Sequence, residues 1–216
     1  DLKAAGCFKM VYLVSPNNPC GSSTTINDIT SVLEAVKDNA IVVVDEAYIE
    51  FSSIESMIKE IRNHENLIVL RTLSKAFSLA GARCGAMISS AEGIDLLKKT
   101  APPFSFSTPT INHIESVLSS NDIKANNRHI KNIVIQRERL KKSLLTLACV
   151  DKVWKSDGNF LLVRFKNTNS ILNALEENQI LVGQIKNSDA LKDCLRITVG
   201  NSEENKKLIE AISSII

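Results

Sequence analysis

Paired cysteines, long apolar runs and an excess of charge are all missing from this sequence, and each absence disfavours a class of protein. Its five cysteines are odd in number, and no two form a Cys-x-x-Cys pair. A disulfide framework or a metal site is therefore not expected. A reducing, cytoplasmic location is the expected one. Apolar runs such as MVYLV and AIVVV are too short to span a bilayer. The net charge of +2 gives no indication of a nucleic-acid partner.

Glycine-rich nucleotide loops are missing as well. No G-x-G-x-x-G follows a candidate strand and no P-loop occurs, which disfavours a nucleotide-binding domain. What remains is a chain of 216 residues with 44% hydrophobic and 23% charged residues. That composition is typical of a soluble globular protein with one or two domains.

The first half of the chain alternates apolar strands with helical segments. Strands are predicted at 9–15, 40–48, 66–74 and 83–90, and helices at 25–38, 55–63 and 91–99. Nearly continuous apolar strands separated by helices predict an α/β fold, with a mostly parallel sheet flanked by helices. We assign residues 1–108 to this domain.

The second half has a different pattern. Residues 110–147 predict two helices with few breakers, and shorter strands and helices follow to the end of the chain. This order predicts a smaller C-terminal α+β domain over residues 109–216, entered by a long helix.

Polar residues follow three of the predicted strands, in the segments NNPCG (17–21), DEAY (45–48) and RTLSK (71–75). In a parallel sheet, the residues just beyond the carboxyl ends of the strands build the site. Lys75 is a nucleophile toward carbonyls once it has lost its proton. Asp45 ends an apolar strand, where a carboxylate needs a cationic or hydrogen-bonding partner.

Further groups in these segments are suited to an anionic, aromatic ligand. Arg83, in the turn LAGARCG, carries a planar guanidinium that matches a phosphate. Thr72 and Ser74 offer hydroxyl groups beside Lys75, and Tyr48 offers a phenol three residues after Asp45. A lysine for an aldehyde, a carboxylate for a pyridine nitrogen and an arginine for a phosphate are what pyridoxal phosphate requires.

These motifs resemble those of the fold-type-I pyridoxal-phosphate aminotransferases, the aspartate aminotransferase superfamily. NNPCG, DEAY, TLSKAFSLAGARCG and LRITVG occur in the expected order and span nearly the whole chain. The resemblance implies that residues 1–108 are part of a pyridoxal-phosphate-binding large domain. Cys20 departs from the usual Asn-Pro-Thr-Gly pattern, at a side chain that is not expected to do chemistry.

The resemblance also implies a role for each matching residue. Lys75 would hold the cofactor aldehyde covalently and then move a proton at the substrate carbon. Asp45 would pair with the pyridine nitrogen, and Asn18 and Tyr48 would contact the 3′ oxygen. Arg196, in LRITVG, would bind the substrate carboxylate. The phosphate would be held by three residues: Thr72, Ser74 and Arg83.

Within the superfamily, DEAYIEF, GNFLLVRF and CLRITVG most resemble the histidinol-phosphate aminotransferases. This implies amino transfer from L-histidinol phosphate to 2-oxoglutarate in histidine biosynthesis, by a homodimer. Aromatic aminotransferases and threonine-phosphate decarboxylases are alternatives on the same scaffold. A third reading, of another class, is a non-catalytic interaction or dimerisation module.

Little sequence precedes the first predicted strand. Family members carry there a covering arm, a phosphate-binding turn and an aromatic residue that stacks on the cofactor ring. We therefore expect this chain to be part of a longer protein and, by itself, to bind the cofactor weakly.

The remaining aromatic and imidazole side chains carry no ligand spacing. We expect His64, His113 and His129 to be solvated, and Phe104 and Phe106 to serve packing.

Overall fold

The computed structural model describes residues 9–186 and 188–215, with the backbone alone at residues 120–122. The chain forms two compact units, Asp1–Pro16 with Ser23–Arg128 and Asn17–Ser22 with His129–Ile216. The domain division at residues 108 and 109 stays a prediction. Of the five cysteines, Cys7 lies outside the described residues.

The first unit contains a four-stranded sheet. Its strands are β1 (Met10–Val14), β2 (Ile41–Asp45), β3 (Leu67–Thr72) and β4 (Gly85–Ile88), in that spatial order. The first three run parallel and β4 runs antiparallel to β3. The predicted α/β class, with a mostly parallel sheet, is confirmed.

One face of this sheet packs under helix α1 (Ile26–Ala35). Thr25 caps the helix by accepting a hydrogen bond from the N–H of Asp28 at 3.1 Å. Ile29 and Leu33 of α1 pack into one buried cluster with apolar residues of β2 and β3. Apolar side chains at helical spacing on α1 face apolar side chains at every second position of the strands. The helix pattern and the strand pattern are therefore buried in the same cluster.

The opposite face of the sheet is partly exposed. Met10 and Tyr12 of β1, Ile41 of β2 and Met87 of β4 are exposed there. The strand register puts Asp45 on the same face, because Asp45 and Ile41 are an even number of residues apart on β2.

The other elements of this unit are short. Helices α2 (Ala91–Lys98) and α3 (Thr108–Val117) follow the sheet, and 3-10 turns occur at Ile49–Phe51, Met57–Glu60 and Ala80–Ala82. The helix predicted at 55–63 is wrong. The segment forms a single 3-10 turn at Met57–Glu60, where tertiary contacts hold it: the Met57 N–H donates to the buried Glu46, and the Met57 side chain packs into the core.

The second unit contains an antiparallel sheet. β6 (Phe160–Phe165) lies between β5 (Val150–Val153) and β8 (Cys194–Thr198), and β7 (Gly183–Gln184) pairs with the far side of β8. The long helix α4 (Ser120–Leu145) leads into this unit, which also holds α5 (Thr168–Glu177) and α6 (Ser202–Ser213).

The core of the second unit joins all these elements. Leu140 and Leu144 of α4 are buried with Leu161 of β6, Ile197 of β8 and Leu208 of α6. The two helices predicted within 110–147 are confirmed as α3 and α4. None of the helices in the described part has the length and apolar character required to cross a bilayer.

Candidate active site

A cleft at the carboxyl ends of β2 and β3 collects most of the predicted site residues of the first unit. β2 ends at Asp45 and β3 ends at Thr72, and the two strands run parallel with Asp45 opposite Leu70. Their carboxyl ends therefore open at the same edge of the sheet, and the chain after β3 folds back over it. The cleft has a volume of about 410 Å³ and is lined by Asp45, Thr72, Ser74, Lys75 and Arg83, among others.

Asp45 is held at both carboxylate oxygens. The backbone N–H of Ala47 donates to Oδ1 at 3.0 Å, and the phenol of Tyr12 donates to Oδ2 at 2.7 Å. Burial, together with the hydrogen bond to Asp45 and the charge of Asp45, raises the pKa of Tyr12 to about 12. Asp45 is thus an oriented carboxylate with lone pairs left for another donor.

Lys75 is exposed at the cleft, and its ammonium lies 6.0 Å from the centre of the buried Tyr48 ring. No carboxylate of residues 9–186 or 188–215 forms an ion pair with Lys75. The side chain therefore meets a ligand in the cleft without first breaking a salt bridge.

Thr72, Ser74 and Arg83 line the cleft beside Lys75 with polar groups. The hydroxyl oxygen of Thr72 accepts the backbone N–H of Ser74 at 3.1 Å, which shapes the turn between β3 and Lys75. Arg83 has a left-handed backbone with φ 52° and donates from its guanidinium to the carbonyl of Ala80 at 2.9 Å. A non-glycine residue in this region is a strained position of the kind found at ligand sites.

A buried ionic cluster braces the loop that follows Asp45. The carboxylate of Glu46 accepts the Ser56 hydroxyl at 2.5 Å and the Met57 N–H at 2.7 Å. Arg71 lies 3.6 Å from Glu46 and 2.6 Å from Glu50. Burial raises the pKa of Glu46, and its hydrogen-bond partners and Arg71 oppose that shift.

The second unit holds the other two predicted site residues next to each other. The guanidinium of Arg196, on β8, donates to the side-chain oxygen of Asn18 at 2.9 Å and lies 4.7 Å from the centre of the Phe160 ring. Gly183 stands opposite Arg196 in the β7–β8 register, where a Cβ would come within 3.4 Å of the Arg196 side chain. Phe160, Gly183 and Asn18 therefore define the surroundings of this arginine.

Three residues that contact or brace the predicted site were not predicted from the sequence: Tyr12, Glu46 and Arg71. Alternation along β1 could have indicated Tyr12, because it shares a face with the strand end that carries Asp45. The carboxylate of Glu46, directly after a buried strand, required a cationic partner that sequence spacing does not identify.

Two predictions about other side chains need correction. His64 was expected to be solvated but is buried, with its Nδ1 3.3 Å from a carboxylate oxygen of Glu34. Phe104 and Phe106 were expected to pack but are exposed. His113 and His129 are exposed, as predicted.

Comparison with known proteins identifies the family. The chain belongs to the family of class I and II aminotransferases, whose sequence profile matches residues 1–212. The predicted family is confirmed.

The individual proteins to which the chain is similar are also named as aminotransferases. The chain is 39% identical over 207 residues to histidinol-phosphate aminotransferase 1 of Pasteurella multocida, covering 96% of this chain and 59% of that protein. It is 41% identical over 204 residues to histidinol-phosphate aminotransferase of Xanthomonas axonopodis pv. citri, covering 94% and 56%. The chain thus spans less than two thirds of the length of these curated relatives.

A solved structure supports the cofactor prediction. Histidinol-phosphate aminotransferase from Sinorhizobium meliloti, solved in complex with pyridoxal-5′-phosphate, matches with a TM-score of 0.83 and 25% identity. The match covers 96% of this chain and 58% of that one.

Proposed function

We propose that this chain is part of a pyridoxal-phosphate-dependent aminotransferase that converts L-histidinol phosphate and 2-oxoglutarate to imidazole-acetol phosphate and L-glutamate, a step of histidine biosynthesis. The observation that carries the proposal is the cleft in which Lys75, Asp45 and Arg83 come together. Relatives named histidinol-phosphate aminotransferase, at about 40% identity, support the choice of substrates.

The donor set of the cleft fits pyridoxal phosphate. Arg83 and the hydroxyls of Thr72 and Ser74 are suited to the phosphate, since a guanidinium and O–H groups donate to anionic oxygens. Asp45 is suited to a protonated ring nitrogen, and Lys75 is the one lysine that lines the cleft.

Pyridoxal phosphate supplies an electron-withdrawing ring that stabilises negative charge at the substrate carbon. Lys75 would hold the cofactor through its aldehyde and would take and return the proton at that carbon, as a general base and acid. Tyr48, whose ring centre lies 6.0 Å from the Lys75 ammonium, would contact the 3′ oxygen, as the family resemblance implies. The resemblance gives Asn18 the same role, and its side-chain N–H groups are the ones left to donate, because its oxygen accepts from Arg196.

Arg196 binds the anionic end of each substrate. 2-Oxoglutarate brings a carboxylate next to the reacting carbon, whereas L-histidinol phosphate has no carboxylate and brings a phosphate monoester. Both present paired oxygens to a planar guanidinium. The ring of Phe160 limits the movement of that guanidinium and favours one orientation.

We also propose an oligomeric state and a cellular location for the protein. We place it in the cytoplasm as a homodimer, on the family resemblance and the cysteine pattern of the sequence. Sedimentation of the purified protein with and without the cofactor tests the dimer.

Reductive trapping tests the role of Lys75. Borohydride added to the chain with pyridoxal phosphate should leave the cofactor joined to the peptide that contains Lys75, as read by peptide mass. Lys75→Ala should abolish this label, and Lys59→Ala, which removes an exposed lysine paired with Glu55, should leave it. A label spread over many lysines, or none, would contradict the assignment and favour a non-catalytic module.

Product analysis tests the reaction. L-Glutamate should accumulate from 2-oxoglutarate only when L-histidinol phosphate is present, and Lys75→Ala should stop it. Aromatic amino acids as better donors, or CO₂ release from threonine phosphate, would replace the proposed substrates with the alternatives.

A further inference from the structure

Tyr12 is the side chain that lies against Asp45 from the neighbouring strand. β1 and β2 pair in parallel, with Tyr12 opposite Val43 and Val14 opposite Asp45. Side chains two residues apart share a face, so Tyr12 and Asp45 are diagonal neighbours on one side of the sheet. The strand rise and spacing separate their Cα atoms by about 8 Å, a gap that a tyrosine side chain can bridge.

The contact between them is polar and directional. The phenol donates to Oδ2 of Asp45 at 2.7 Å, and the Ala47 N–H occupies Oδ1 at 3.0 Å. With one donor on each oxygen, the carboxylate plane cannot rotate freely. Each oxygen keeps a lone pair for a further donor, such as a ring N–H.

Apolar packing accounts for little of the position of Tyr12. Its relative exposure is 52%, and Met10, on the same strand and face, is similarly exposed at 57%. The hydroxyl contact with Asp45 is therefore what distinguishes Tyr12 from its neighbour. Tyr12 is a protonated donor at neutral pH, because a phenol ordinarily titrates near 10.0 and partial burial together with Asp45 raises its pKa to about 12.

We propose that Tyr12 is a positioning residue that orients the Asp45 carboxylate toward the ring nitrogen of the cofactor. The inference rests on the proposed function, because it assumes pyridoxal phosphate in the cleft. Tyr12 itself acts only through Asp45.

Two cofactor probes separate this role from a general structural one. Pyridoxal phosphate has the ring nitrogen, and its 1-deaza analogue carries carbon there while keeping the aldehyde, the 3′ hydroxyl and the phosphate. Tyr12→Phe should weaken binding of pyridoxal phosphate to the 216-residue chain by between about 2- and 10-fold, the loss expected for one hydrogen bond. Binding of the deaza analogue should be unchanged.

Matched variants complete the experiment. Met10→Ala, on the same strand and face, should leave both affinities unchanged. In an Asp45→Asn background, Tyr12→Phe should have no further effect on pyridoxal phosphate, because the carboxylate it orients is gone.

The outcomes distinguish the two proposals. Equal losses for both probes in Tyr12→Phe, or no loss for either, would overturn the role of Tyr12 and leave the proposed function standing. Failure of the unmodified chain to bind either probe would overturn the proposed function for this chain, and the role of Tyr12 with it.

Discussion

The guanidinium of Arg196 donates to the side-chain oxygen of Asn18 at 2.9 Å, although 178 positions separate the two residues in the sequence. The bond fixes which end of the Asn18 amide is engaged: the oxygen accepts, and the N–H groups are left as donors. Arg196 thereby orients the Asn18 amide, and the anion-binding role that we propose for its guanidinium remains to be tested.

Replacement of Arg196 by lysine tests the importance of this geometry. Arg196→Lys keeps the charge but loses the planar fork, and we expect affinity for 2-oxoglutarate to fall by about ten-fold or more. Arg164→Lys, which alters an arginine bonded to the carbonyl of Ala190, is the matched control and should have little effect. Calorimetric titration of the cofactor-loaded chain measures both. Equal affinities in all three proteins would contradict an anion-binding role.

Glu46 should make stability depend on pH in a direction opposite to that of an exposed ion pair. Burial raises its pKa above the ordinary 4.5, so the folded state holds the proton more tightly than the unfolded state. Its contribution to stability is then fully present below pH 4.5 and declines as the pH rises through the raised value.

Comparison with Glu46→Gln isolates this effect. The free energy of unfolding of the unmodified chain minus that of the variant should decrease as the pH rises above 4.5, by no more than about 1.4 kcal/mol per pH unit. Ser56→Ala removes a hydrogen bond that lowers the pKa of Glu46 and should extend the decline to higher pH. Urea unfolding at a series of pH values measures these differences in the free energy of unfolding. A difference that grows with pH would show that the pairing with Arg71 outweighs burial.

Tyr12 should ionise at unusually high pH. The chain has two tyrosines, so the absorbance difference between the unmodified chain and Tyr12→Phe reports Tyr12 alone. That difference should titrate near pH 12. The stability that Tyr12 contributes is complete below pH 10 and is lost as the pH rises toward 12.

Asp45→Asn separates the causes of that shift. It removes the charge and the carboxylate acceptor but leaves the burial, so the pKa of Tyr12 should move from about 12 partway toward its ordinary value of 10.0. Titration of Tyr12 near pH 10 in the unmodified chain would contradict the contact with Asp45.

The sequence predicted the parts of the site that depend on strand ends. Apolar runs that end in Asp45 and Thr72 imply parallel strands with polar termini at one edge, and the structure places Lys75 and Arg83 beside them. The chemistry that the motifs indicate for these two residues stays a prediction. The other contacts of the site depend on the register of the parallel strands. The partnership of Tyr12 with Asp45 depends on which residue of β1 lies opposite which residue of β2, and local pattern does not fix this.

Tertiary contacts account for another limit of prediction from the sequence. The segment 55–63 has apolar residues at helical spacing, yet only Met57–Glu60 is helical, as a 3-10 turn whose Met57 N–H is bonded to the buried Glu46. The burial of His64 beside Glu34 has a similar origin, because both contacts are tertiary. Such contacts override propensity and are not visible in a window of sequence.

Gly21 should be intolerant of substitution because it anchors the loop that carries Asn18. Its φ is +77°, and a Cβ there would overlap the side chain of Ser156 and lie 3.0 Å from the Ser156 Cα. The Gly21 carbonyl also accepts the N–H of Asp157 at 2.7 Å, so the backbone cannot move away without losing a bond. Gly21→Ala should lower the free energy of unfolding by about 3 kcal/mol or more.

Gly81→Ala is the matched control for this substitution. Gly81 has no positive φ, and a Cβ built there meets nothing within 4 Å, so its effect should stay within about 0.5 kcal/mol. Denaturant unfolding of both variants provides the comparison. Because the Gly21 N–H donates to the Asn17 carbonyl at 2.7 Å, the strain in Gly21→Ala falls on the turn that contains Asn18. Stability of Gly21→Ala equal to that of Gly81→Ala would mean that the loop can leave Ser156 without cost, and the anchoring role would be wrong.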